Sequence, residues 1–438
     1  MNNFQTILVA IFMAFFVFGV LIFSGAINLG NSKSGVDAIT GKIVIWGDLP
    51  KSEMTELFTN NLQNGGTFSV SYVEQNKDTY QQNLIEAFAR GEGPDLFILD
   101  SDMLLKNSGF TYKIPYANFS EKSFRAAYID GADILLAKDG VMGFPLIVDP
   151  LVLYYNKDML SNESILYPPA TWDELFGLSD KLNKKKTDGT ISQSMIALGQ
   201  YGNVNHSRDI LSMLLLQSNN PIVTKSDTGY TLTMRDSLPS GVSPFTQIIN
   251  FFLEFSNPSN TSYSWNRSLP NSFDMFTSGK LAFYIGYASE LFKIQSVNPN
   301  LSFDVAMIPQ TKGANIKRTY GDMYTMVVNK NSKNLTSVFG VANLVNDPVF
   351  LKQMAVTTSL PSMNRALLND KPADPYLTTF FNSAVIARSW LDPDKDQTNS
   401  IWKDMIENSL SNKLSVGDAI DKASKQMDLI LKDYDIKK

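Results

Sequence analysis

The chain has 438 residues, 44% hydrophobic and 18% charged, with a formal net charge of −5. That length supports two ordinary domains with a sizeable core, and the acidic balance offers no basic face for nucleic acid. With no cysteine and a single histidine, disulfide frameworks, thiolate nucleophiles, zinc–thiolate sites and histidine-rich metal sites are excluded.

After a short segment at 1–3, residues 4–23 are almost wholly bulky and apolar, long enough to cross a bilayer as a helix. The expectation is an uncleaved membrane anchor, because a signal-peptide core is usually shorter and follows a Lys or Arg, which residues 1–3 lack. The alternative is a signal peptide cleaved near Ala26, after the small residues Ser24 and Gly25, which would release a secreted or periplasmic protein. Residues 24–40 are small and polar and read as a flexible tether, spanning on the order of 20–25 Å.

The body opens with alternating elements. Lys42–Trp46, Phe68–Val73 and Leu96–Leu99 read as short buried strands. Between them, Met54, Leu57, Phe58 and Leu62, and then Tyr80, Leu84, Ile85 and Phe88, recur at helical spacing. This β-α-β-α-β order implies an α/β architecture, a mainly parallel sheet covered by helices on both faces. Ligands of open α/β sheets bind outside the carboxyl ends of the strands. The three strand exits are Trp46-Gly47-Asp48, Glu74-Gln75 and Asp100-Ser101-Asp102, all polar.

The stretch from Gly143 to Leu182 is the most distinctive. The apolar run Leu146–Tyr155 carries one carboxylate, Asp149, followed by Pro150, and reads as a crossing into a second lobe. Pro168-Pro169 then halts the chain. Thr171 as N-cap with Glu174 three residues on predicts a capping box opening a helix through Leu175, Leu178 and Leu182. Lys184–Lys186 reads as a solvated loop.

Farther on, Tyr201–His206 is a polar segment ahead of the apolar run Ile210–Leu216, and Trp265 stands in a polar loop. Leu281–Ile285 reads as a strand leading through Tyr287 into a turn and a helix. Gly321-Asp322 precedes a strand at Met323–Val328, and Trp390 precedes a loop at 392–397. A last helix, capped by Ser415 and Asp418, buries Val416, Ile420, Ala423, Met427, Ile430 and Leu431 along one face.

In order, the segments KIVIWGD (42–48), GEGPDLFILDSD (91–102), GFPLIVDPLVLYYNKDML (143–160), PPATWDEL (168–175), SFDMFTSGKLAFYIG (272–286) and VNKNSKN (328–334) resemble family-1 extracellular solute-binding proteins. These are the carbohydrate receptors of ABC importers, similar to maltose-binding protein, and the resemblance runs from about residue 41 to the C-terminus. It implies the class II periplasmic-binding-protein fold: two α/β lobes, 41–147 plus about 322–360 and 148–321 plus 361–438, with ligand in the cleft between them. Asp149 would fall at the first crossing, where the family often places a carboxylate that bonds sugar hydroxyls. Asp48 and Glu74 match polar contacts of the first lobe, Asp100 and Ser101 its third strand exit, and Tyr201 a segment supplying an aromatic. Tyr287 stands where tryptophan is common. Trp46, Trp265, Asp322 and Trp390 complete the candidates. Carboxylates pair with sugar hydroxyls and flat rings cover the C–H faces.

The resemblance further implies a monomer with a carbohydrate ligand, the transmembrane subunits of an ABC permease as partner, hinge closure as mechanism, and neither cofactor nor catalytic metal. Two other readings of the residues stand beside it. A membrane-tethered sensor or interaction protein could use the same fold, which does not dictate function. A glycoside hydrolase would need paired carboxylates, Asp149 with Asp100 or Glu74, at roughly 5–10 Å. The lone His206 reads as solvated or capping. Arg267, Arg318 and Arg365 are the loop arginines that would favour an anionic sugar.

Overall fold

A computed structural model describes residues 41–62, 68–226, 229–238 and 241–434. The expected anchor at 4–23 and tether at 24–40 lie outside these residues. Among the described residues no helix is long and apolar enough to cross a membrane.

The first five elements follow the local pattern closely. Strands β1 (Gly41–Gly47), β2 (Phe68–Glu74) and β3 (Leu96–Leu99) alternate with helices α1 (Lys51–Leu62) and α2 (Tyr80–Arg90). β1 pairs in parallel with both β2 and β3. The sheet as a whole is mixed, and the reason lies in two long strands that cross between the lobes. β4 (Phe144–Asn156) and β8 (Thr319–Val328) run antiparallel. Residues 144–150 of β4 pair with β8, which pairs on its other side with β3. Residues 151–156 pair instead with β6 (Leu281–Tyr287) and β7 (Phe303–Ala306). Pro150, with no N–H to give, sits where β4 changes partners. β5 (Ile191–Ile196) continues the sheet beyond β6, and β9 (Ala387–Arg388) pairs in parallel with the start of β8. The order β2-β1-β3-β8-β4-β6-β5 therefore passes through both lobes without a break. All of β8 and nearly all of β4 are buried, as expected of central strands with near-continuous apolar sequence.

Several expectations are corrected. Gly321-Asp322 lie inside β8, because they pair with Pro150 and Asp149 of β4, and Thr319 and Tyr320 ahead of them pair with Ala387 and Arg388. The helix after Thr171 is short (Trp172–Phe176) and a second turn begins at Ser179. Thr171 makes no side-chain cap. Glu174 instead accepts the Ala170 N–H at 2.8 Å, one residue early, where Gln310 holds the segment by backbone bonds on both sides of Thr171. The loop at 392–397 is shorter than expected, because α4 (Lys395–Leu410) starts within it. Asp394 caps α4 by accepting the Gln397 N–H at 3.1 Å. The last helix, α5 (Val416–Leu431), has the expected Ser415 cap, which accepts the Asp418 N–H at 3.1 Å.

Candidate ligand-binding cleft

The pairing of β4 with β8 sets Asp149 directly opposite Asp322. Residues so placed in an antiparallel pair have Cβ atoms roughly 4.5–5.5 Å apart and share a face. Tyr324, two residues along β8, lies on that face too. These three side chains help line a cavity of about 510 Å³ between the lobes, within the roughly 300–1,000 Å³ of ordinary small-ligand pockets. On the first-lobe side stand Leu49 and Pro50 after β1, Glu53 of α1 and Lys77 after β2. On the other side, helix α3 (Ser207–Gln217) brings Asp209 and its preceding residue His206. The end of β6 brings Tyr287 with Ser289 and Glu290, and the start of α4 brings Lys395.

The floor is electrostatically unsettled. Asp149 is 5% exposed and accepts the Ser289 N–H at 3.0 Å. Burial pushes its carboxyl up to about 6, with the Ser289 bond only partly opposing. Asp322 is 3% exposed, and its Oδ1 has no hydrogen-bond partner among the described residues. Burial, then the nearby Asp102 charge, hold its pKa well above the usual carboxylate range. The Tyr287 hydroxyl, on a residue 8% exposed, is likewise without a partner there. A buried polar group left unpaired costs stability, so these atoms mark places where a polar ligand would be rewarded.

The lobe-2 wall is settled by contrast. Glu290 Oε2 accepts the Tyr284 hydroxyl at 3.0 Å and the Tyr287 N–H at 3.1 Å, and lies 3.1 Å from His206 Nε2. Burial alone would lower the His206 pKa, but Glu290 outweighs it and favours the imidazolium. Gly286 makes room for this arrangement: a Cβ there would stand 2.4 Å from both Glu290 Oε2 and Tyr284 Cε1. Gly286→Ala is therefore expected to displace the carboxylate and lower the His206 titration midpoint. His206 is the only histidine in the chain, so its ring proton resonances followed against pH read this directly; an unchanged midpoint would show that Glu290 does not sustain the charge.

Behind the cavity lies a buried ionic network that ties the exit of β3 to α3 and the start of α4. Arg208 of α3 donates to Asp392 Oδ2 at 2.8 Å, to Asp209 Oδ1 at 2.9 Å and to Asp102 at the exit of β3. Lys395 adds a second cation 2.9 Å from Asp102 and 3.7 Å from Asp100. The Tyr320 hydroxyl donates to Asp102 Oδ1 at 2.8 Å. Burial would raise the Asp102 pKa, but Arg208 and Lys395 together hold it below the usual range.

The structure distributes the sequence candidates unevenly. Asp149, Tyr287 and Asp322 line the cavity. Asp48, just ahead of Leu49, is half-buried, and burial and then Asp100 push its carboxyl up to about 6. Asp100 accepts the Met103 N–H at 3.1 Å and faces Lys395, and Ser101 pairs with the Ser389 hydroxyl at 2.7 Å. The remaining candidates are occupied elsewhere. Trp46 packs half-buried against the core. Glu74 is exposed and caps α1 by accepting the Lys51 N–H at 2.9 Å. The Tyr201 hydroxyl donates to Asn399 at 2.7 Å. Trp265 is fully buried and donates to Asn203 at 3.0 Å. Trp390 donates to Ser212 at 3.0 Å and stacks on Trp402 with centroids 5.8 Å apart. No tryptophan lines this cavity, and neither do Arg267, Arg318 or Arg365. Sequence reasoning missed Glu53, Lys77, Asp209, Glu290 and Lys395, and set His206 aside. The one available signal was Asp394 ahead of Gln397, a helix-start pattern that would have placed Lys395 on a first turn.

A family model described as bacterial extracellular solute-binding protein matches residues 54–379. Proteins named as binding proteins in Brucella abortus and Brucella suis are 24% identical over 270 residues, 61% of this chain. The match spans 62% of the length of those relatives. Among solved structures, the sugar-binding protein MalE of Xanthomonas citri is similar with TM-score 0.71 and 16% identity, over 90% of this chain and 98% of that one. The cyclic alpha-maltosyl-1,6-maltose binding protein of Arthrobacter globiformis gives 0.71 and 15%, over 90% and 99%. A cyclo/maltodextrin-binding protein complexed with maltotetraose gives 0.68 and 17%, over 89% and 96%. At these identities the structural likenesses establish the two-lobed fold.

Proposed function

The chain belongs to the bacterial extracellular solute-binding protein family, and from that premise we propose that it is an extracytoplasmic receptor for a sugar or oligosaccharide. It captures its ligand by hinge closure and delivers it to an ABC-type permease. The observation that carries this reading is the cavity floor: two crossing strands present Asp149 and Asp322 side by side, with Asp322 Oδ1 and the Tyr287 hydroxyl buried and unpaired. A hydroxyl-rich ligand supplies the donors and acceptors those groups need, and the Tyr287 and Tyr324 rings offer surfaces for its C–H faces. The structural relatives, a cyclo/maltodextrin-binding protein complexed with maltotetraose, a cyclic alpha-maltosyl-1,6-maltose binding protein and a sugar-binding protein, support the ligand class.

In this proposal the lobes are 41–147 plus about 322–360 and 148–321 plus 361–438, so that Asp149 and Asp322 both sit at crossings. Ligand bridging the lobes shifts the population toward the closed form. The apolar segment 4–23 would anchor a monomeric receptor beside its permease. A hydrolase loses its suggested carboxylate partners, because Glu74 caps α1 and Asp100 faces Lys395.

The test is a thermal-shift screen of the protein against mono- and oligosaccharides. Ligand at a hundred times its Kd should stabilise by about 2.7 kcal/mol. A flat response across a broad panel would overturn the sugar reading.

A further inference from the structure

We infer that the cleft prefers a sugar bearing a free amino group, whose ammonium sits between Asp149 and Asp322, over neutral or acidic sugars. This rests on the sugar reading above and narrows it to a ligand class. Two carboxylates directly opposite on neighbouring strands repel one another, and both are buried here, at 5% and 3% exposure. Among the described residues neither has an ion pair: Asp149 receives one backbone N–H, and Asp322 Oδ1 receives nothing.

The cations that could have neutralised them are already committed. Lys395 pairs with Asp102, Arg208 with Asp102, Asp209 and Asp392, and His206 with Glu290. Of the lining cations only Lys77 forms no ion pair among the described residues; its charge reaches Asp322 and Asp149 without contact and offsets their burial only in part. The lining carries five carboxylates, Glu53, Asp149, Asp209, Glu290 and Asp322, against the three cationic side chains Lys77, His206 and Lys395, so an acidic sugar would meet a net negative wall. A neutral hydroxyl could donate to Asp322 but would leave the repulsion in place. An ammonium brings three donors and the missing charge together. The Tyr287 hydroxyl, buried and unpaired on the same cavity wall, is free to bond a ring hydroxyl beside it. Among the described residues no group of three or more acidic or histidine side chains is placed to hold a metal ion. Ca²⁺ or Mg²⁺, which want about six or more oxygens, are therefore poorer counter-ions here.

The raised carboxyls add a second signature. A cation placed beside them favours their charged forms, so amino-sugar binding should release protons near pH 6.5, whereas a neutral sugar should not.

The experiment is titration calorimetry of the full chain in two buffers of different ionisation enthalpy. The paired probes are glucosamine against glucose and N-acetylglucosamine, and chitobiose against N,N′-diacetylchitobiose, with glucuronate as the acidic control. The expected result is affinity for the amine about 10-fold or more above its acetylated partner, with proton release. Asp322→Asn should erase the preference for the amine over its acetylated partner, and Asp149→Asn should weaken it; each replaces a buried carboxyl by an amide of the same shape and so puts folding at little risk. Neutral sugars binding as tightly as their amines, or no proton release, would overturn the inference and leave the sugar reading standing. An undiminished preference in both variants would overturn the placement of the ammonium. No binding by any probe would count against both.

Discussion

Replacing Arg208 by methionine is expected to destabilise the protein by about 3–5 kcal/mol, the cost of breaking a buried ion pair from one side. Methionine keeps most of the side-chain length, so the loss is chiefly electrostatic. Asp392 would be left buried with no cation, and Asp102 with Lys395 alone. Burial already pushes the Asp392 pKa up, and Arg208 is the main force holding it down. Urea denaturation should show a lower midpoint at an unchanged slope. Asp102 follows β3 and Arg208 lies in the first turn of α3, so the variant should also speed hydrogen exchange around both ends. A midpoint shift equivalent to less than about 1 kcal/mol would mean that solvent or neighbouring groups replace the guanidinium. Exchanging the whole network for apolar residues is a different experiment, expected to be far closer to neutral.

Asp149→Asn should do two opposite things. Binding should weaken by roughly 10- to 100-fold, the loss of one or more charge-assisted hydrogen bonds to ligand. The ligand-free protein should become more stable at pH 7. Asn keeps an acceptor for the Ser289 N–H and removes a carboxyl raised from 3.8 to about 6. A shift of about two units corresponds to roughly 3 kcal/mol, or about 2–4 °C in melting temperature for a chain of this size. The sign follows from linkage. The folded-state pKa lies above the unfolded one, so between about pH 4 and 6 the native wild type binds the extra proton. The wild-type penalty is thus complete above about pH 6 and gone below about pH 4. The advantage of the variant over wild type should follow the same course. An advantage that persists at pH 4 would show that it has another origin.

Such a trade between stability and binding is what a site kept ready for ligand requires, and it bears on what could be read from the chain. Asp149 was legible because a carboxylate inside an apolar strand contradicts its own neighbourhood, and that contradiction is local. The opening β-α-β-α-β order and the Ser415-capped last helix were legible for the same reason, since periodicity and caps span only a few residues. Asp322 was named as a candidate but placed ahead of its strand, because pairing with Asp149, and of Thr319 and Tyr320 with Ala387 and Arg388, lengthens that strand from far along the chain.

Trp265 and Trp390 show the limit. Each stands among polar residues in sequence, and each is buried by partners 62 and 178 residues away. Glu74 sits at a strand exit, as a ligand contact would, yet its carboxylate serves a helix start 23 residues back. Lys395 carries only the helix-start mark of Asp394, and nothing local ties Lys395 or Arg208 to Asp102, which lies on another element. The sequence by itself determined the element types, the family resemblance and the one anomalous carboxylate at the first crossing. Only the tertiary structure decided which polar groups are paired and which are left facing the cleft, since hydrogen bonding and burial depend on neighbours that the chain brings together only by folding.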